Sequence, residues 1–148
     1  MYLDLCCLKR PFDDQRAARI QAETAAVAAL IARAEGGAIR LVRSPAHTFE
    51  NDRNPREDRR LATASWLNGA GVEVFLTETT VARARELQGL GFAPLDALHT
   101  AFAEESGAAW LATTDDGMIM LGQRHAARLR VKVANPTRLL QELAGGEP

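Results

Sequence analysis

Two periodicities alternate along the chain. Short apolar runs, "MYLDL" (1–5), "AIRLV" (38–42), "VEVFL" (72–76), "AAWLAT" (108–113) and "RVKVA" (130–134), read as strands. The segments between them repeat at helical spacing. Residues 14–35 set Ile20, Ala26, Val27, Leu30 and Ile31 on one stripe, and Gly36 and Gly37 stop that helix. "SPAHTFEN" starts the next, with Ser44 as N-cap and Pro45 at the first helical position. "NPREDRRLATASWLNGAG" repeats the grammar: Asn54 caps, Pro55 leads, Glu57 completes a capping box, and Gly69 and Gly71 close the helix. Helices follow over 78–91, 94–107 and about 116–123, and a last one runs from Asn135 and Pro136 to about Ala144.

Strands separated by helices imply right-handed crossovers and a mostly parallel sheet. The expected fold is therefore α/β, a three-layer α/β/α sandwich around a mostly parallel central sheet of about five strands. At 148 residues, with 47% hydrophobic and 25% charged positions, the chain reads as one domain over 1–148. No apolar run reaches membrane-spanning length, and "MYLDLCCLKR" has no basic leader, so the expected location is cytoplasmic. Cys6 and Cys7, read as neighbours on a strand, face opposite ways, which predicts reduced thiols. With no His at ligand spacing they make no zinc site.

In an open parallel sheet the functional crevice lies beyond the carboxyl ends of the strands. The acids gather at that edge. Asp4 ends an apolar run, Glu50 follows the second strand, and Asp96 sits in the first turn after Pro94. Asp115 and Asp116 leave the fourth strand in "LATTDDGMI". Clustered carboxylates repel and raise one another's pKa, and a hard divalent cation such as Mg²⁺ or Mn²⁺ removes that cost. Each acid also has an ordinary role. Asp115 or Asp116 would cap the short helix, Asp96 would complement a helix dipole, and Glu50 would be one solvated acid of many. Asp4, among Tyr2, Leu3 and Leu5, is the hardest to explain that way.

His99 stands three residues after Asp96 on the same helix face, where a partly buried helix histidine is commoner than a ligand. His47 and His125 show no partner at useful spacing, and Trp66 and Trp110 read as core. The net charge of -1 gives no global attraction for nucleic acid. The cations are nonetheless almost all arginine, with Lys9 and Lys132 the exceptions. Lys9, Arg10, Arg53 and Arg56 lie near the acids in sequence and are candidate phosphate contacts. Arg59, Arg60, Arg124 and Arg128 follow, some of them offset by Asp52, Glu57 and Asp58. A dinucleotide-binding fold is excluded because no G-x-G-x-x-G follows the first strand. An Asp-x-Asp phosphatase is excluded because Cys6 stands at the second acid's place.

"YLDLCCL", "SPAHTFE", "LDALHTAFAEESGAAWLATTDDGMI" and "RVKVANP" together resemble the PIN-domain family, of the VapC-like toxin type, over nearly the whole length. The resemblance implies a metal-dependent endoribonuclease that leaves a 5′-phosphate and a 3′-hydroxyl, with Mg²⁺ or Mn²⁺ as cofactor. Carried over by position, its four acids are Asp4, Glu50, Asp96 and Asp115, with Asp116 as an extra acid and Thr113 as a supporting residue. It also implies RNA as partner, a small antitoxin protein and a homodimer formed through helices. Two positions depart from the pattern. Leu5 and Cys6 replace the small hydroxyl or amide residue after the first acid, and Met118 replaces an aromatic after the fourth. A non-toxin RNA-processing nuclease, or a non-catalytic module binding RNA or protein, is the alternative.

Overall fold

The computed structural model describes residues 1–145. The strands are β1 (Tyr2–Leu3), β2 (Val42–Arg43), β3 (Val72–Glu73), β4 (Trp110–Ala112) and β5 (Lys132–Ala134). The helices are α1 (Leu5–Lys9), α2 (Ala18–Glu35), α3 (Pro45–Asp52), α4 (Glu57–Asn68), α5 (Glu78–Gly89), α6 (Pro94–Glu105), α7 (Asp116–Arg124) and α8 (Pro136–Gly145). Short 3-10 turns follow α1 and α7, at Arg10–Phe12 and Ala126–Arg128. No helix among the described residues is long and apolar enough to cross a membrane.

The fold is α/β and every strand pairing is parallel. In place of one sheet of about five strands there are two: a three-stranded sheet ordered β1-β4-β5 and a two-stranded sheet β2-β3. They abut at one seam. Val42 donates its backbone N–H to Met1 O at 3.0 Å, an ordinary ladder distance, so β2 runs beside β1. One rung later the ladder stops being direct. Ser44 N–H would meet Leu3 C=O there in a continuous parallel pairing. Instead the His47 ring stands between them, Nδ1 accepting from Ser44 N at 3.1 Å and Nε2–H donating to Leu3 O at 2.7 Å. An imidazole thus serves as the rung and holds the two strand ends apart.

The period-2 alternation divides the core. Tyr2, Leu111 and Val133 point to one side, among Leu87, Phe92, Ala97 and Phe102 of α5 and α6 and the turn between them. Leu3, Ala112 and Ala134 point to the other, among Val27, Leu30, Leu67 and Leu139 of α2, α4 and α8. Gly122 lets α7 lie flat on this sheet, since a Cβ there would stand 2.6 Å from that of Val133. Trp66 and Trp110 are only partly buried at the edge of the second core.

Several boundaries differ from expectation for local reasons. The first strand ends at Leu3, not residue 5, because Asp4 N-caps α1 and its carboxylate accepts Leu5 N–H at 2.8 Å. Cys6 and Cys7 therefore lie on a helix and not on a strand, and both are free thiols. α2 starts at Ala18 and not residue 14, because Asp14 folds back to accept Arg16 N–H at 3.0 Å. Asn54 likewise closes a turn on Arg56 N–H, at 3.0 Å, so α4 begins at Glu57 without the expected capping box. Ser44 caps α3 as expected, and His47 completes its box. The third strand stops at Glu73, which leaves Phe75 and Leu76 exposed.

Candidate metal centre

β1 and β4 are parallel neighbours, so their carboxyl ends open on the same edge, and the residues just past them meet there. Asp4 follows β1 and is buried. Four groups converge on its carboxylate. Oδ1 accepts Leu5 N–H at 2.8 Å, and Oδ2 accepts the Thr113 hydroxyl at 2.9 Å and the Cys6 thiol at 3.3 Å. His99 Nε2 lies 3.7 Å from Oδ1. Thr113 also receives the Asp115 backbone N–H on its hydroxyl, at 3.2 Å, so one threonine ties the ends of both strands together.

α3 and α6 bring the next groups. Glu50, one and a half turns into α3, sets Oε1 3.3 Å from His99 Nε2. Asp96 and His99 share one face of α6. The ring of His99 is fully buried and its other nitrogen, Nδ1, lies 2.5 Å from the Tyr2 hydroxyl. Tyr2 reaches on to Ser44 Oγ at 2.6 Å. Burial first, and then the charges of Asp4 and Glu50, hold the Tyr2 phenol far above its ordinary pKa despite the bond to Ser44. Tyr2 is therefore a neutral donor and acceptor.

The field at this edge is negative. Asp96 is pushed up to about 6, by burial and then by the charges of Asp4, Asp115 and Glu50, with His99 acting the other way. Asp96 thus feels the charges of Asp4, Asp115 and Glu50, and a cation nearby would offset that repulsion. The tightest group is Asp4, Glu50 and His99, each offering one ligand atom within 4.8 Å of the others. Ligands on one ion at roughly 2.1 Å sit about 3–4 Å apart, so modest contraction closes this set. Two carboxylate oxygens and one imidazole nitrogen are a donor set that fits a divalent ion. Asp96 and Asp115 stand outside that closest group.

The adjacent acids after β4 divide their roles. Asp115 is the N-cap of α7, Oδ1 accepting Gly117 N–H at 2.8 Å and Met118 N–H at 3.2 Å. Asp116 is gripped by both arms of Arg19, at 2.8 and 2.9 Å, and its side chain is 71% exposed. The capping role falls to Asp115, and Asp116 belongs to a surface ion pair. His99 is the residue that sequence reasoning undervalued, together with Tyr2 and Ser44. The available signal was Tyr2 itself, because a tyrosine in a strand buried on both faces needs a partner for its hydroxyl.

The candidate phosphate contacts fare unevenly. Arg10 is engaged by Asp13 and Glu23, both at 2.9 Å, and is held against the protein. Arg53 lies over the Phe49 ring at 4.0 Å. Lys9 is partly buried and Arg56 exposed. None of Arg53, Arg56, Arg59 or Arg60 makes an ion pair with Asp52, Glu57 or Asp58 among the described residues. From Gly117 to Gln141 the sequence holds five cations, Arg124, Arg128, Arg130, Lys132 and Arg138, and no acid. No protein-family model, curated protein or solved structure matches the chain.

Proposed function

We propose that the chain is a metal-dependent endoribonuclease of PIN-domain type, acting as the toxin of a type II toxin–antitoxin pair. The observation that carries this reading is the convergence of Asp4, Glu50 and His99 within 4.8 Å, beside an Asp96 whose carboxyl is pushed up to about 6. The strand succession β3-β2-β1-β4-β5, with an apolar core on each side, supports a three-layer PIN-like sandwich.

In this reading Asp4, Glu50 and His99 hold a divalent ion, with Asp96 and Asp115 completing the negative edge. The ion, when bound, lowers the pKa of a water and offsets charge developing on a phosphodiester. The protein's own work is positional. Thr113, Leu5 N–H and Cys6 fix the Asp4 carboxylate, so it does not reorient when an ion arrives. Asp96, raised to about 6 before an ion binds, is the carboxyl at this edge whose proton a bound cation would favour releasing. Glu50, partly exposed at the mouth, is placed to orient the attacking water. Lys9 and Arg56 are the candidate cations left for phosphates, and selectivity then comes from RNA shape. A small antitoxin, a homodimer and a cytoplasmic setting belong to the same proposal.

The test is cleavage of a labelled RNA by purified protein with Mn²⁺ or Mg²⁺, beside Asp96→Asn. Metal-dependent fragments carrying a 5′-phosphate, absent from the variant, are expected. Cleavage that is absent, or identical in the variant, ends the proposal. Growth arrest on inducing the chain alone distinguishes a toxin from an RNA-processing enzyme.

A further inference from the structure

We propose that this centre selects a transition ion of the Mn²⁺–Zn²⁺ class over Mg²⁺, and that His99, held by Tyr2 and Ser44, imposes the choice. The inference rests on the metal-centre reading above and specifies its cofactor. An all-carboxylate edge would suit Mg²⁺, which binds oxygen and keeps several waters. Here one of the three nearest ligand atoms is an imidazole nitrogen, fully buried and directed between two carboxylates. Imidazole favours zinc, iron and similar ions, and the affinity order of divalent ions rewards it.

The hydrogen bonds behind His99 prepare the ring for that role. Ionised carboxylates only accept, so without an ion Nε2 carries the proton toward Glu50. Nδ1 then accepts the Tyr2 O–H, and the Tyr2 oxygen accepts from Ser44. To bind an ion, Nε2 must present its lone pair and the ring proton must sit on Nδ1. The Tyr2 oxygen accepts that proton's hydrogen bond, and its own O–H turns to Ser44 Oγ. The Ser44 hydroxyl then turns to His47 Nδ1, 3.4 Å away, and shares that nitrogen's lone pair with Ser44 N–H. Because each hydroxyl both donates and accepts, the chain satisfies either tautomer. Phenylalanine at position 2 would satisfy neither. Tyr2 and Ser44 are positioning residues, acting on the ion through His99.

Isothermal titration calorimetry of the full chain with MnCl₂, ZnCl₂ and MgCl₂ separately tests this, with Tyr2→Phe and His99→Gln alongside. Wild type is expected to bind Mn²⁺ at least roughly tenfold more tightly than Mg²⁺. Tyr2→Phe should lose roughly 10–100-fold in Mn²⁺ affinity and little in Mg²⁺ affinity. His99→Gln should bring the two ions level. Nitrogen NMR of the wild-type ring is a second measurement, one that does not depend on either variant folding. Zn²⁺ should shift His99 Nε2 as a bound nitrogen and leave Nδ1 protonated, and Mg²⁺ should do neither. Mg²⁺ binding as tight as Mn²⁺, a preference unchanged in both variants, or an Nε2 signal indifferent to Zn²⁺ overturns the inference and leaves the metal centre standing. Binding of no ion at all overturns both.

Discussion

The imidazole rung between β1 and β2 makes stability depend on pH in a calculable way. His47 needs one accepting and one donating nitrogen, so it works only as the neutral ring. Burial, and then the charge of His99, holds its pKa down to about 3, against an ordinary 6.5 and despite the bond to Leu3. Below pH 6.5 the unfolded chain takes up a proton that the folded one refuses, so stability falls as pH falls, down to about 3. At roughly 1.4 kcal/mol per pH unit the loss is about 2 kcal/mol at pH 5 and at most about 5 kcal/mol below pH 3. Asp96 opposes it. Its folded pKa of about 6 lies above the ordinary 3.8, so it adds stability in acid that is lost as pH rises through 6. Asp96 is only partly buried, and solvent screening keeps its effect to about 1 kcal/mol. The histidine therefore wins. Urea denaturation followed by tryptophan fluorescence at pH 7, 6, 5 and 4 measures the balance, with His47→Gln as comparison. Glutamine's amide can accept from Ser44 and donate to Leu3 but does not titrate. The wild type should lose roughly 2 kcal/mol relative to His47→Gln between pH 7 and 5. A difference between wild type and His47→Gln that stays constant with pH would refute the argument.

Other consequences are more local. On the proposed metal reading, Mn²⁺ and the Asp96 proton oppose each other below pH 6, so affinity measured by calorimetry should drop by up to about tenfold per pH unit from 6 to 5. Asp96→Asn should flatten that dependence. Gly122→Ala sets a Cβ 2.6 Å from Val133 Cβ and should force α7 off β5, lowering stability by about 1–3 kcal/mol in thermal melts. Glu104→Gln leaves Arg83 without the buried carboxylate that it meets at 2.7 Å, and should cost about 3–5 kcal/mol in urea denaturation.

Features set by local chemistry could be read in the sequence. Ser44 and Pro45 start α3, Pro94 starts α6, and the alternating runs place all five strands within a few residues. Expectation failed where a polar side chain competed for the backbone. Asp4, Asp14 and Asn54 each captured an N–H and moved an element's boundary. The split sheet was illegible for a related reason. No local pattern announces that His47, a residue of α3, will replace a rung between β1 and β2. At the candidate metal centre, the edge that carries Asp4 and Thr113 was legible because strand ends fix it. The part played by His99 was not, since it depends on a tyrosine 97 positions away.

The four carboxylates differ in how freely they move. Asp4 is clamped by an amide, a hydroxyl and a thiol, and Asp115 by two amides at the head of α7. Among the described residues, the Glu50 carboxylate has only His99 as a partner and the Asp96 carboxylate receives no hydrogen bond. Two of the four carboxylates are thus set during folding and two remain adjustable. On the proposed metal reading, Asp4 would need no ordering to receive an ion, whereas the Glu50 side chain would surrender rotational freedom to enclose it.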